Sequence, residues 1–557
     1  MIISALVVSS ADAENVSQVK FSGEKPRGLS GLYNRPGQQF IPDSLSADSL
    51  KIVSYYHKRG WYECVLSVSY RSRTDGVEIT YQIDKKRLYG LKFMIENLIK
   101  NDSSNSNIRA LIDSYDGKPA TSTNLNLLAN DIIDYYAEIG YPYCEVRFDD
   151  VQLESPDRLM VKPDIQPGPL VTIEKIAFAG RKNLDDTFLQ NYIGIRLSAR
   201  YSTSDLQAAY RRLSLAAFID DVEQPQLRYV QIPERGVIVF PIKEVSPLLL
   251  DGAAGYSSKD DNFYGKLNAT LTNILGKGRQ AKLEWAKKDK HSRWLRLEYT
   301  EPYPFGIPFN LILDFYQDDH DSLYIDNGGS IGLHYLASDI YTYGITVGAS
   351  KLNPEPYGRS LLPHKDKLKL SASFAADTRD HKLNPRTGDY LYLKANFISE
   401  TVTGDSIFAA SNINYRTVEM RYEKYLPVTQ STVLFGGLNA SGDFSNDISL
   451  DRLLPLGGFG SLRGYMQDQF FVSRLAVATV DYRLLTSRQG RMYIFTDGAV
   501  FQLPDIGDNG STTEYKAGFG VGLTAPVKLG QATVEIAVPD DDGFSNAKLH
   551  FGIKAGF

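Results

Sequence analysis

The hydrophobic pattern of the chain changes its period once. Before Pro247, apolar residues recur at helical spacing in separate stretches (Leu50, Val53, Tyr56; Leu128, Ile132, Tyr135), and each stretch is followed by two-residue alternation. In the first of these the alternating segments are Cys64–Tyr70 and Val77–Ile83, which read as strands. From Leu248 onward the helical period vanishes. In Trp294–Tyr299, Leu295, Leu297 and Tyr299 share one face and Arg296 and Glu298 the other; Leu549, Phe551, Ile553, Ala555 and Phe557 repeat the pattern at the end. No apolar run approaches the roughly 18–20 residues of a membrane helix. Strands that are apolar outward and polar inward can nevertheless wall a lipid-facing barrel. The roughly 310 residues after Pro247 accommodate an even number of antiparallel strands near 16.

The first half repeats itself. Tyr55-Tyr56-His57-Lys58-Arg59-Gly60-Trp61-Tyr62-Glu63-Cys64 returns, without a gap, as Tyr135-Tyr136-Ala137-Glu138-Ile139-Gly140-Tyr141-Pro142-Tyr143-Cys144. A looser third copy starts at Val171–Gly180, continues through a helix over Leu206–Leu215, has Ala217-Phe218 where the others have glycine and an aromatic, and closes with Gly236–Ile242. Strand, helices and two strands thus recur in modules at 16–86, 87–168 and 169–246, jointed at Gln166-Pro167-Gly168-Pro169 and Ser246-Pro247, with a barrel expected over 248–557. Cys64 and Cys144 hold equivalent places in separate modules, so each is expected to be a small buried residue rather than half of a disulfide.

Composition sets the compartment. A net charge of −5 gives no reason to expect a nucleic-acid partner. Two cysteines against 35 tyrosines suit a β protein outside the cytoplasm. Residues 1–13, an apolar run ending in Ala11-Asp12-Ala13, read as a signal peptide remnant.

Candidate catalytic chemistry is thin. Gly457-Gly458-Phe459-Gly460-Ser461-Leu462-Arg463-Gly464-Tyr465 has the glycines of a phosphate loop, but β-branched and aromatic residues follow instead of a helix. Gly328-Gly329-Ser330-Ile331-Gly332 fits a nucleophile elbow, yet Asp326-Asn327-Gly328 before it reads as a turn and a strand follows. Asp318-Asp319-His320-Asp321 reads as a solvated loop, and the seven histidines are scattered. No catalytic residue, metal site or cofactor is assigned, and the chain is not expected to be an enzyme.

Three stretches carry a family resemblance. Asn273–Arg279 with Tyr299–Tyr303, then Asp377, Arg379 and Asp380 with Pro385 and Gly388 (D-x-R-D…N-P-x-x-G), then Leu462, Arg463, Gly464 and Tyr465 ([VL]-R-G-[FY]) resemble motifs of the outer-membrane assembly-factor superfamily. Its fold is polypeptide-transport-associated (POTRA) modules followed by a barrel. The fold class implied is therefore α+β, three β-α-α-β-β POTRA modules, before an all-β transmembrane barrel of about 16 antiparallel strands. The resemblance implies that Arg463 sits on a long extracellular loop folded back into the lumen, with acidic partners on following strands: Asp481 or Asp497. The family pattern F-x-D-x-G would place glycine at Ala499, whereas it stands at Gly498, which leaves the main partner open. Phe557 resembles the terminal aromatic that sorts such barrels.

Three modules resemble the outer-membrane subunit of the translocation and assembly module (TamA-like). That resemblance implies residence in the bacterial outer membrane with the POTRA modules in the periplasm. The implied partners are client outer-membrane proteins, the lipid bilayer and an inner-membrane-anchored, periplasm-spanning protein (TamB-like). Clients would pair with POTRA strand edges and enter the bilayer at a gate between the first and last barrel strands, where Gly252, Gly255, Gly552 and Gly556 weaken pairing. The Arg463 loop is expected to brace the wall opposite this seam or to seal the lumen. A two-partner-secretion-type transporter and a passive channel or receptor barrel are the alternatives.

Overall fold

The structure is a computed structural model that describes residues 15–95, 105–229, 234–257, 262–287, 292–320, 322–381, 384–445, 448–487, 489–504, 511–527, 530–540 and 547–555. The signal-like residues 1–13, Asp321, Gly556 and Phe557 lie outside them.

Three small mixed sheets precede one large sheet. In the first module, Gly76–Asp84 is the central strand, parallel to Val16–Ser22 and antiparallel to Val65–Arg73. The helix Leu45–His57 packs on this sheet. Its buried face is Leu45, Asp48, Ser49, Ile52 and Tyr56, not the Leu50, Val53, Tyr56 stripe of the sequence reading, and Leu50 is exposed. The reason is polar: the Asp48 carboxylate is turned inward, where it accepts from the Tyr33 and Asn34 backbone amides at 2.6 and 3.0 Å and ties down the segment that stands where the other modules have a first helix. An apolar count misses a buried carboxylate that is fully hydrogen-bonded.

The second module repeats the plan with Gly90–Phe93, two helices (Asn105–Asp113, Ser122–Glu138) and the hairpin Glu145–Ser155/Arg158–Gln166. Leu128, Ile132 and Tyr136 face its core, so the inward tyrosine is Tyr136, one position on from the Tyr135 of the periodic reading. Cys64 and Cys144 are free and buried in their separate cores, as their equivalent places imply. The third module comprises Thr172–Ala179, two helices (Asp186–Ile193, Thr203–Leu215) and the strands Ile219–Val222, Gln226–Tyr229 and Arg235–Glu244. The chain divides into two compact units, and the bulk of this module shares its unit with the barrel while the first two modules form the other.

Sixteen antiparallel strands, from Leu248–Ser257 to Lys548–Ala555, form the large sheet. Hairpin neighbours pair in order, except that a 30-residue excursion over 444–473 separates Thr432–Asp443 from Arg474–Leu485. Strands differ in length: the middle pair Gly388–Thr403 and Ser411–Pro427 have 16 and 17 residues, the last strand 8. Among the described residues no ladder joins the last strand to the first. Alternation holds as read, for Leu549 and Phe551 are exposed while His550 between them is buried. Inward polar residues pair across strands, as in Lys282–Glu298 at 2.9 Å and Arg296–Asp314 at 2.6 Å.

Two loop readings fail. Asp326-Asn327-Gly328 lies inside the strand Tyr324–Leu336, and Asp318-Asp319-His320 ends the strand Phe309–His320, where buried Asp319 binds Arg293 at 2.7 Å. Asp326 is turned inward towards Lys367, whereas Asp319 shares the outward side of its strand with Leu313 and Phe315 and is satisfied by Arg293 from the neighbouring strand, settings that local turn chemistry cannot anticipate.

The third module is fastened to the turns on its side of the barrel. The Asp185 amide donates to the Gly276 carbonyl at 2.8 Å. Arg211 pairs with Asp339 at 2.9 Å and donates to the Asp377 carbonyl at 3.0 Å. The Tyr192 and Tyr303 rings lie 5.2 Å apart. The Asn273–Arg279 motif is thus a docking turn, and a side chain at Gly276 or Gly278 would collide with Asn183 or Phe188.

Candidate functional site: a buried arginine at the tip of an inward loop

The excursion over 444–473 carries a small hairpin, Leu454–Leu456 with Phe470–Val472, and presents Leu462–Tyr465 beyond it. Gly457, Gly458, Gly460 and Gly464 all have positive φ, a conformation that side chains resist, so the tip can turn back on itself. Leu462 and Tyr465 are buried in a cluster with Val477, Ala499 and Phe501 from the barrel wall. Tyr465 also donates its hydroxyl to Asp540 at 2.7 Å.

Between them Arg463 is 7 % exposed. Its Nε and Nη2 donate to the two oxygens of Asp497, both at 2.6 Å, and its backbone amide reaches the same carboxylate at 3.1 Å. Nη2 also donates to Asp481 at 3.2 Å and Nη1 to Glu535 at 3.1 Å. The planar fork lies over the Phe495 ring, 3.5 Å from its centroid. Of the two acids left open by the sequence, Asp497 therefore makes the bidentate pair, the geometry suited to a guanidinium. Asp481 chiefly binds Arg483, at 2.7 and 3.0 Å.

The displaced glycine of the F-x-D-x-G pattern has a geometric meaning here. Ala499 is an inward member of the apolar cluster, whereas a side chain added at Gly498 would meet nothing within 4 Å.

Sequence reading missed Glu535 and His550. Glu535 receives the Tyr493 hydroxyl at 2.6 Å besides Arg463, and His550 Nε2 accepts from the Gly464 amide at 3.3 Å. One signal was available: Gly518, Gly520 and Gly522 alternate along Thr512–Val527, leaving the middle of one side of that strand without side chains. A side chain at Gly518 would strike the Arg463 carbonyl, and at Gly520 or Gly522 the Phe495 or Tyr493 ring. The bare stretch is a trough that seats the loop tip at Gly518 and the rings beneath it at Gly520 and Gly522.

The tip therefore lies against the last strands of the sheet, beside the seam, and not on the wall opposite it. Gly552, read as a gate glycine, is also where Phe459 rests: a side chain there would enter the Phe459 ring. Gly252 and Gly255 pair with Leu267 and Tyr264 in the first hairpin. The D-x-R-D residues form a separate cluster. Arg379 binds Asp377 at 2.7 Å and Glu423 at 3.0 Å, Asp380 accepts from the Arg386 amide at 2.9 Å, Pro385 is buried, and Gly388 (φ +103°) packs against the Thr378 carbonyl. Among the described residues no group of His, Cys, Asp and Glu is arranged to hold a metal.

Comparison with known proteins fits this architecture. Residues 273–557 match the Omp85 superfamily domain, and residues 14–86 match the surface antigen variable number repeat of POTRA type. The outer membrane protein assembly factor BamA of Neisseria meningitidis is 22 % identical over 463 residues, covering 77 % of this chain. The alignment takes in 57 % of that protein, so the chain spans little more than half of its relative's length. CdiB from Escherichia coli is alike in fold, with a TM-score of 0.51 and 12 % identity over 84 % of this chain and 89 % of that one. The BamA of Haemophilus ducreyi lacking POTRA domains 1–3 aligns at 18 % identity over 83 % of this chain and 98 % of that one, with a TM-score of 0.46. With just over half of its length matching the family's barrel, the chain belongs to the Omp85 superfamily: an outer-membrane β-barrel preceded by periplasmic POTRA modules.

Proposed function

We propose that this protein is an assembly factor that inserts client outer-membrane proteins at a lateral gate between its first and last barrel strands. The observation that carries the reading is the seam: the end strands of the 16-stranded sheet share no ladder among the described residues. The Arg463 loop, bound beside that seam, would hold the last strands in register while the seam opens. Upstream, clients would be received on strand edges of the modules. Glu145–Ser155 is an edge strand of its sheet and exposes Val151 and Leu153, an unpaired backbone with apolar side chains. A TamB-like, periplasm-spanning protein is the partner proposed to deliver them. The work is conformational and needs no catalytic residue.

The competing reading, secretion of a polypeptide through the lumen, requires the loop to leave. Extracting Arg463 would leave buried Asp497 without its counter-ion and take a partner from Asp481 and Glu535, and breaking a buried pair costs about 3–5 kcal/mol. The test pairs a cysteine at Gly252, on the same side of its strand as the exposed Leu248 and Leu250, with cysteines at the exposed Leu549 and Phe551, after Cys64 and Cys144 are replaced; Gly552 is avoided because Phe459 occupies its face. Oxidation should stop client insertion into vesicles, and reduction should restore it. Insertion that continues through a cross-linked seam removes the gate and favours the lumen route or a passive channel.

A further inference from the structure

Where the third module meets the barrel, a cavity of about 590 Å³ opens that the gate and the Arg463 loop leave unused. Its floor is the helix end and loop of the module, including Asn191, Arg196 and Arg212; its wall is barrel turn and strand, including Tyr303 and Tyr335. Two guanidiniums line it and no acidic residue does. Arg212 Nη1 donates to a neutral partner, the Ile193 carbonyl, at 2.8 Å, and Arg196 is exposed. A pair of arginines with no acid beside them in the lining, among the described residues, is complementary to an anion, and the fork of each suits a phosphate.

The surroundings choose among phosphates. Tyr335 shares its side of Tyr324–Leu336 with Ile331 and Leu333, all well exposed, and an apolar exposed row on a barrel strand is the lipid face. The cavity thus borders the bilayer. The adjoining turn gives an independent sign. Tyr303 and Phe305 both adopt left-handed backbone (φ +51° and +58°), a strain side chains rarely accept, and the result is a Phe305 ring that is fully exposed at 101 %. Ile307, two residues on, is also exposed. Strained backbone that displays an aromatic to solvent is unrewarded in water, whereas aromatics are favoured at a membrane interface.

We propose that this cavity holds the phosphate of an anionic phospholipid from the periplasmic leaflet, with Arg196 and Arg212 on the headgroup, the acyl chains along the Tyr335 and Leu333 face, and Phe305 in the interface. A lipid so placed would join the third module to the membrane beneath it. The proposal rests on the membrane placement of the barrel and not on the insertion role.

Native mass spectrometry of the full chain released from micelles containing phosphatidylglycerol or phosphatidylcholine tests it. Wild type should retain phosphatidylglycerol in preference, and Arg196→Gln should weaken that retention about fivefold, the effect of one arginine at an anionic surface. Arg212→Gln should do the same; its folding is checked by heat-modifiable mobility, and the exposed Arg196 keeps the test decisive if that variant fails to fold. Arg359→Gln, an exposed arginine at the other end of the barrel strands, should change nothing. Equal retention of the two lipids, or no effect of Arg196→Gln, overturns the site. Displacement of the lipid by glycerol phosphate at equal concentration would show a site for free phosphate and overturn the lipid assignment.

Discussion

Arg463 meets three carboxylates, of which Asp481 is shared with Arg483. That asymmetry ranks the acids. Asp497→Asn should release the loop more than Asp481→Asn, because it weakens three hydrogen bonds where the other weakens one. Arg463→Ala should destabilise the folded barrel by about 3–5 kcal/mol, read from urea midpoints in vesicles, as a buried charge cluster loses its counter-ion. Equal midpoints for the two aspartate variants would contradict the ranking. Cys144 offers a pH test away from the membrane. Burial pushes its thiol up from 9.0 to about 11. A folded-state value above the unfolded one means the contribution to stability is complete below about pH 9 and is lost as pH rises through about 11. Iodoacetamide at pH 8 should therefore label Cys144 about a hundredfold more slowly in the folded chain than in the denatured one, from thiolate fraction alone. At this scale the sequence was legible where a residue belongs to a contiguous motif, as Arg463 does. Glu535 and His550 sit on separate strands with no motif around them, and only tertiary pairing brings them to the loop.

Elements show the same division. Strand alternation survives folding because each barrel strand truly has two environments, and the module repeat survives because the first two copies each close their own core. The misread pieces are those where an acid finds its partner only in the fold: Asp48 on the first helix, and Asp319 and Asp326 on the wall. Glycine in the strands likewise has two meanings that composition cannot separate. Gly518→Ala would drive a methyl into the Arg463 carbonyl, while Gly498→Ala points at open space. The first should expose the loop to added protease in intact cells, and the second should leave cleavage at the wild-type level. Cleavage of both or of neither would show that the glycine trough does not seat the loop.

Across the whole molecule, the third module shares its compact unit with the barrel, and the first two modules make up the other. The barrel wall itself is uneven. At about 3.3 Å per residue and a tilt near 45°, a 17-residue strand such as Ser411–Pro427 rises roughly 40 Å, while the 8 residues of Lys548–Ala555 rise roughly 19 Å, against a hydrocarbon core of about 30 Å. If the described residues of the last strand are all that cross there, lipid beside it would compress or tilt to match it, and lipid on the far side would not. The protein would then carry its own local thinning of the bilayer, placed where a new strand would cross. Insertion by wild type should depend less on acyl-chain length than spontaneous insertion of the same client, and vesicles of lengthening lipids would display that difference as a widening ratio of rates.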